Sequence, residues 1–374
     1  MRLTSVRAVL SVVSLFLTGS FAAAAGDGSD MPVVPNLSAT PTAMDSTVPS
    51  NGDLNPYGVA FVPNEFPRGG RLNPGDILVS NFNNSTPPSG LQGTGTTIVR
   101  VNPNAAPSLF FTSQAIGLST ALGVLKRGFV IVGNLPSLDG SGNCVAESGP
   151  DQNVGAGSLQ IIDRNGKLSK TIENTKTLNG PWDLTIRDDG DKALVFVSNA
   201  LSGTVTRLEL SVDGDQVVVE NETQIASGYA HSCNSAAFVV GPTGLALDTQ
   251  TDTLFVSSTE DNAIFAIPHA SSRQTDAGEG SLFIQDSTHL HGPLALALAP
   301  NGDLISSQGD AENFDPTQVS EIVEFNRFGK FVAEFSIDSA SGSAFGLAIR
   351  KTHDGFIFAA VDDNLNVLDV WDVN

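Results

Sequence analysis

Gly241–Pro268 reads "GPTGLALDTQTDTLFVSSTEDNAIFAIP", three short apolar runs ("LAL", "LFVSS" and "AIFAI") parted by two polar breaks. Runs this short, ended by Thr, Asp, Gln and Asn, read as strands and tight turns rather than as a helix. The pattern recurs. "NPYGVAFVP" (Asn55–Pro63) precedes "GDILVSN", "STALGVL" (Ser119–Leu125) precedes "GFVIVGN", and "GPWDLTI" (Gly180–Ile186) precedes "ALVFVSN". Further on, "GPLALAL" (Gly292–Leu298) precedes "GDLISSQ", and "SAFGLAI" (Ser343–Ile349) precedes "GFIFAAV". Aligned on Gly58, Ala121, Asp183, Gly244, Ala295 and Gly346, the copies stand 63, 62, 61, 51 and 51 residues apart. A recurrence of this length marks a repeat architecture.

Each copy adds a third run and usually a fourth, such as "TTIVRVNP" then "SLFFTS", or "GTVTRLEL" then "QVVVEN". Six units of four antiparallel strands predict an all-β, six-bladed β-propeller over residues 55–374. The last copy ends in "LNVLDVWDVN" with no fourth run. An open propeller would expose a long sheet edge. Part of Asn36–Ser46 is therefore expected to supply the outer strand of the last blade, with residues 26–54 serving as linker and closing strand.

Residues 1–25 combine Arg2 and Arg7, the apolar "AVLSVVSLFL" and the small "AAAA", the grammar of a secretory signal peptide. A secreted or periplasmic protein without a membrane span, and a monomer, is expected. Export permits a disulfide between Cys144 and Cys233, both of which fall in loops on one face of the ring. The net charge of −21 excludes nucleic acid as a partner and suits a cation or a basic protein ligand.

The units resemble NHL repeats and the wider six-bladed group that includes the SMP-30/gluconolactonase and paraoxonase-like enzymes. The likeness rests on Pro242–Ala246, on Gly302–Asp303, and on the turns "STEDNAI" and "VDDNLNV". In lactonase-like members it implies a calcium or similar ion over the channel, held at strand-one starts and strand-two ends. The matched strand-one positions here are Tyr57, Thr120, Trp182, Thr243, Leu294 and Phe345, none of them a carboxylate.

Strand-two ends read Asn81, Asn134, Asn199, Ser258, Gln308 and Val361. With Tyr57, Trp182 and Phe345 they either form a polar collar on aromatic walls, suited to a small organic or sugar-like ligand, or cap their own turns. Asp183 stands where other copies have Gly or Ala, and either orients a ligand or bonds a neighbouring blade. Loops on this mouth face hold Asp139, Glu147, Asp151, Glu260, Asp261, Asp310, Glu312, Asp315, Asp362 and Asp363, without Lys or Arg. His231, His289 and His291 lie in mouth-side connections of adjacent blades. They are the candidate zinc ligands of a metal-assisted hydrolase or lyase, with Glu260 as general acid/base and His231 and His291 as further catalytic candidates. No cofactor is required by any motif. A divalent metal, zinc or calcium, is what the histidines and the resemblance leave open.

Overall fold

Short Val-, Ile- and Phe-rich runs between Gly, Asp and Pro turns can bury both faces only by stacking sheet on sheet, and a ring of sheets does this without leaving a long free edge. In the computed structural model, which describes residues 31–85, 90–102, 106–144, 153–174, 176–234, 236–309, 321–339 and 342–374, six four-stranded antiparallel sheets stand around one axis. The inner strands are Leu54–Phe61, Leu118–Leu125, Pro181–Asp188, Pro242–Asp248, Pro293–Leu298 and Ala344–Lys351, and consecutive ones touch around the full circle. Most of the core lies between blades. Ile131, Ile161 and Leu125 of blade two, for example, pack on Val195, Leu208 and Leu210 of blade three.

The ring closes as the missing fourth run requires. Ala43–Ser46 pairs antiparallel with Val367–Val373, Ala43 opposite Val370 and Ser46 opposite Val367. The chain before it forms a strap. Val33 N and Val34 N donate to the buried Glu324 carboxylate at 2.9 and 2.7 Å, and Trp371 Nε1 donates to Ser38 O at 2.9 Å. The leader expected over residues 1–25 lies outside the described residues.

All six inner strands share one irregularity. Their register with strand two breaks after Pro56, Leu118, Pro181, Pro242, Pro293 and Ala344 and resumes at Val59, Leu122, Leu184, Leu245, Leu296 and Leu347. Proline fits there because it has no N–H to lose from the ladder. At two of these breaks the aligned residue must be small, because a Cβ on Gly346 would stand 1.8 Å from Tyr57 O, and one on Gly244 2.4 Å from Leu296 N. Strand-two serines fill the break. Gly58 N, Asp183 N and Ala295 N donate to Ser80, Ser198 and Ser307 Oγ, each at 3.0 Å. Ser80 and Ser198 then donate to Ser119 O and Thr243 O of the next blade.

Candidate functional site

At the strand-one starts the chain places Tyr57, Trp182 and Phe345 towards the axis, and together with Phe82 they close the channel rather than ring it. Tyr57 stacks between Phe345 (4.5 Å) and Phe82 (4.6 Å), while Trp182 meets Tyr57 and Phe82 edge-on at 5.6 and 5.7 Å. A hairpin in the blade three-to-four connection, Ser232–Asn234 with Phe238–Val240, adds to this plug. Its Phe238 is almost fully buried, 6.0 Å from Phe82, at φ 69°, a left-handed conformation that costs a bulky residue energy unless its surroundings hold it. What holds it is visible: Cys233 is bonded to Cys144, with Cα atoms 5.2 Å apart, and Gln92 Nε2 donates to Ala236 O at 2.6 Å.

Above the plug lies a cavity of about 200 Å³ lined by Tyr57, Trp182, Phe345, Gln92, Thr243 and Asp363 among others. Trp182 is 2% exposed, yet its Nε1 has no hydrogen-bond partner. Gln92 Oε1 and Asn55 Oδ1, on residues lining the same cavity, also lack one. Phe82, Phe238 and Gln92 escaped sequence reasoning. Phe82 stands one residue beyond the collar position, and Phe238 sits in "SAAFVV", an apolar run just after Cys233 that belongs to no repeat.

The collar amides are turned into the walls. Asn81 Nδ2 donates to Thr47 O and Thr97 Oγ1. Asn134 bonds Ile116 O and Ser158, and Asn199 bonds Asn179 N and Thr177 O. Ser258 donates to Asp261, and Gln308 spans His291 N and His289 O. All five are buried and brace the ends of the strands.

The acidic rim divides. Glu147, Asp151, Asp310, Glu312 and Asp315 lie outside the described residues. Glu260 is exposed, Asp139 is held by Ser141 N, Asp261 accepts from Ala230 N, and Asp362 is wholly buried, which leaves Asp363 against the cavity. The histidines have separate partners. His231 Nδ1 bonds Tyr229 O, His289 bonds Asp286 and stacks on Phe331, and His291 Nε2 bonds Thr288 O. Among the described residues no group of three or more His, Cys, Asp or Glu is arranged to hold a metal ion. Rings, threonines and Leu294 occupy the strand-one positions where the resemblance implies ion ligands, and the strand-two amides are tied into the walls. A hard cation needs several converging oxygens, so the residues present do not fit one.

Asp183, expected among the mouth-side ligands, does not line the aromatic cavity. It lines a second cavity of about 380 Å³ formed by all six inner strands. Its oxygens accept Leu184 N at 2.8 Å and Leu245 N at 2.9 Å. Burial pushes its carboxyl up to about 7 against the lowering effect of those two bonds.

No known protein-family profile matches the chain, and no curated protein matches it by sequence. Solved structures do. A gluconolactonase from Xanthomonas campestris superposes with a TM-score of 0.52 at 13% identity, over 90% of this chain and 98% of that one. Regucalcin from Agrobacterium tumefaciens, a calcium-binding protein, gives 0.51 at 11%, over 90% and 96%. A luciferin-regenerating enzyme gives 0.51 at 9%, over 88% and 95%. At such identities the fold is what is shared: the chain is a six-bladed β-propeller whose structural neighbours are of the gluconolactonase and regucalcin type.

Proposed function

We propose that this chain is an exported binding protein that takes a small, uncharged, polyhydroxylated ring, of the size of one sugar or sugar lactone, into the aromatic cavity of its mouth face. The observation that carries the reading is the buried Trp182, which lines that cavity and whose Nε1 has no hydrogen-bond partner. A buried donor left without an acceptor costs about 1–3 kcal/mol, which a ligand oxygen would recover. Gln92 and Asn55 bring amide side chains to the lining, and the rings offer apolar faces to C–H bonds. At about 200 Å³ the space lies below the range of roughly 300–1,000 Å³ usual for drug-sized ligands, so the occupant is small. Export is supported by the leader-like start and by the Cys144–Cys233 bond.

The chain has two tryptophans. A Trp371→Phe variant leaves Trp182 as sole reporter, to be titrated with neutral monosaccharides and their lactones while fluorescence and heat are recorded. Saturable quenching that disappears in Trp182→Phe, tested by heat alone, is expected. A cavity that holds only water would give no response to any member of the series and would end the proposal. Sequencing the N-terminus of the protein recovered outside the cytoplasm tests export.

A further inference from the structure

The second cavity runs along the axis on the far side of the aromatic plug, and no feature of the mouth site uses it. The side chains around it are aliphatic, with Val59, Leu122, Leu245 and Leu347 buried in the seams between blades and Phe61, Val124, Ile186, Leu298 and Ile349 part-exposed further along, while the larger part of the surface facing the channel is polar. Into this wall the sequence sets one ionisable side chain, Asp183; no other residue lining the cavity titrates. Each carboxylate oxygen accepts one backbone N–H, from Leu184 and from Leu245, so each keeps a further acceptor direction.

A latch between blades three and four would not need a charge, and the five equivalent positions manage with Gly58, Ala121, Gly244, Ala295 and Gly346. The register offers a second set of acceptors. Leu245 gives its N–H to Asp183 rather than to Val256 opposite it, so its N–H and C=O point away from strand two, towards the axis. Val59, Leu122, Leu184, Leu296 and Leu347 hold the same register. At the opening, Arg187 is paired with Asp189 at 3.4 Å and Arg350 lies over the Phe61 ring at 4.9 Å, and neither lines the cavity.

We propose that the axial channel on the face opposite the mouth binds a primary alkylammonium ion, its head on the Asp183 carboxylate and the inward carbonyls, its chain against the part-exposed aliphatic side chains nearer the opening. The site is separate from the mouth cavity and stands or falls without it.

The test is calorimetric titration of the whole protein at pH 8 with hexylamine, and with hexanol, hexanoate, sodium and calcium ions as separate probes. Hexylamine should bind saturably, hexanol and hexanoate at least tenfold more weakly, and the metal ions not at all. Asp183→Asn keeps an acceptor oxygen for the backbone and should weaken hexylamine at least tenfold. Thr185→Lys, which sets a like charge on a part-exposed residue lining the channel, should weaken it as well. It also provides the decision if the Asn variant fails to fold. Because burial holds the Asp183 carboxyl at about 7, wild-type affinity should rise from pH 6 to pH 8, a change that a purely structural latch would not produce. The proposal is overturned by hexanoate binding as tightly as hexylamine, by a metal ion alone displacing it, or by undiminished affinity in both variants.

Discussion

Replacing Asp369 by Asn should make the protein more stable at pH 8 and flatten its response to pH. Asp369 is 1% exposed between blades five and six, with Oδ1 unpartnered, and Asp362, wholly buried nearby, has Oδ2 unpartnered. Burial first, and then the charges of Asp362 and Asp338, push the Asp369 carboxyl from 3.8 to about 7. A folded state that holds its proton more tightly than the unfolded chain is favoured most below pH 4. It loses that advantage as pH climbs from about 4 to about 7, and loses nothing more above. At about 1.4 kcal/mol per pH unit the cost at pH 8 is at most about 4 kcal/mol, shared with the neighbours it is coupled to. An Asn side chain carries no charge, and its N–H can donate to Asp362. Urea unfolding at pH 5 and pH 8 measures the effect. The variant's advantage over the parent should be clearly larger at pH 8 than at pH 5, with a remaining slope from Asp183 and Glu324, which burial likewise raises to about 7. Equal losses between the two pH values in both proteins, or a weaker variant at pH 8, would refute the reasoning.

Three further outcomes are expected. Gly346→Ala should lower stability by about 1–3 kcal/mol, since its Cβ meets the backbone oxygen of Tyr57, and thermal unfolding would show an unchanged midpoint if the close approach were tolerated. Removing residues 31–46 should strip the partner from Val367–Val373 and leave the Glu324 carboxylate without its backbone donors. Oligomers by light scattering are the expected readout, against a monomer if the edge is harmless. A Cys144→Ser/Cys233→Ser pair releases a loop of 89 residues and should cost up to roughly 4–5 kcal/mol by urea unfolding, a figure that an unaltered midpoint would contradict.

The architecture was legible because its signal is repetitive. Any one of the runs is ambiguous, but six copies in which Pro, Gly or Ala and a later strand end keep the same spacing leave little freedom, and the absent fourth run after Trp371 pointed to its own replacement near Ser46. Position around the ring was therefore readable, and direction was not. Asn81, Asn134 and Asn199 do sit at the strand-two ends, but whether an amide points at the axis or into its own wall depends on neighbours such as Thr97, Ser158 and Thr206, which come from a third strand. Asp183 shows the same limit along the axis, where one residue beyond Trp182 is enough to place a side chain below the plug instead of above it. The hairpin that carries Phe238 belongs to no repeat, so periodicity had nothing to say about it.

The pairing of Ala43 with Val370 also sets an order of events. A polypeptide made from its N-terminus owns one half of this clasp before any inner strand exists, but the strand that receives it follows the first five blades. The circle must then stay open until those blades have been made, with blade six completed by a strand older than all of them. Rejoining the chain so that Val373 leads directly into Ala43, with new ends cut elsewhere, would place both halves side by side in one hairpin and should let the circle shut sooner.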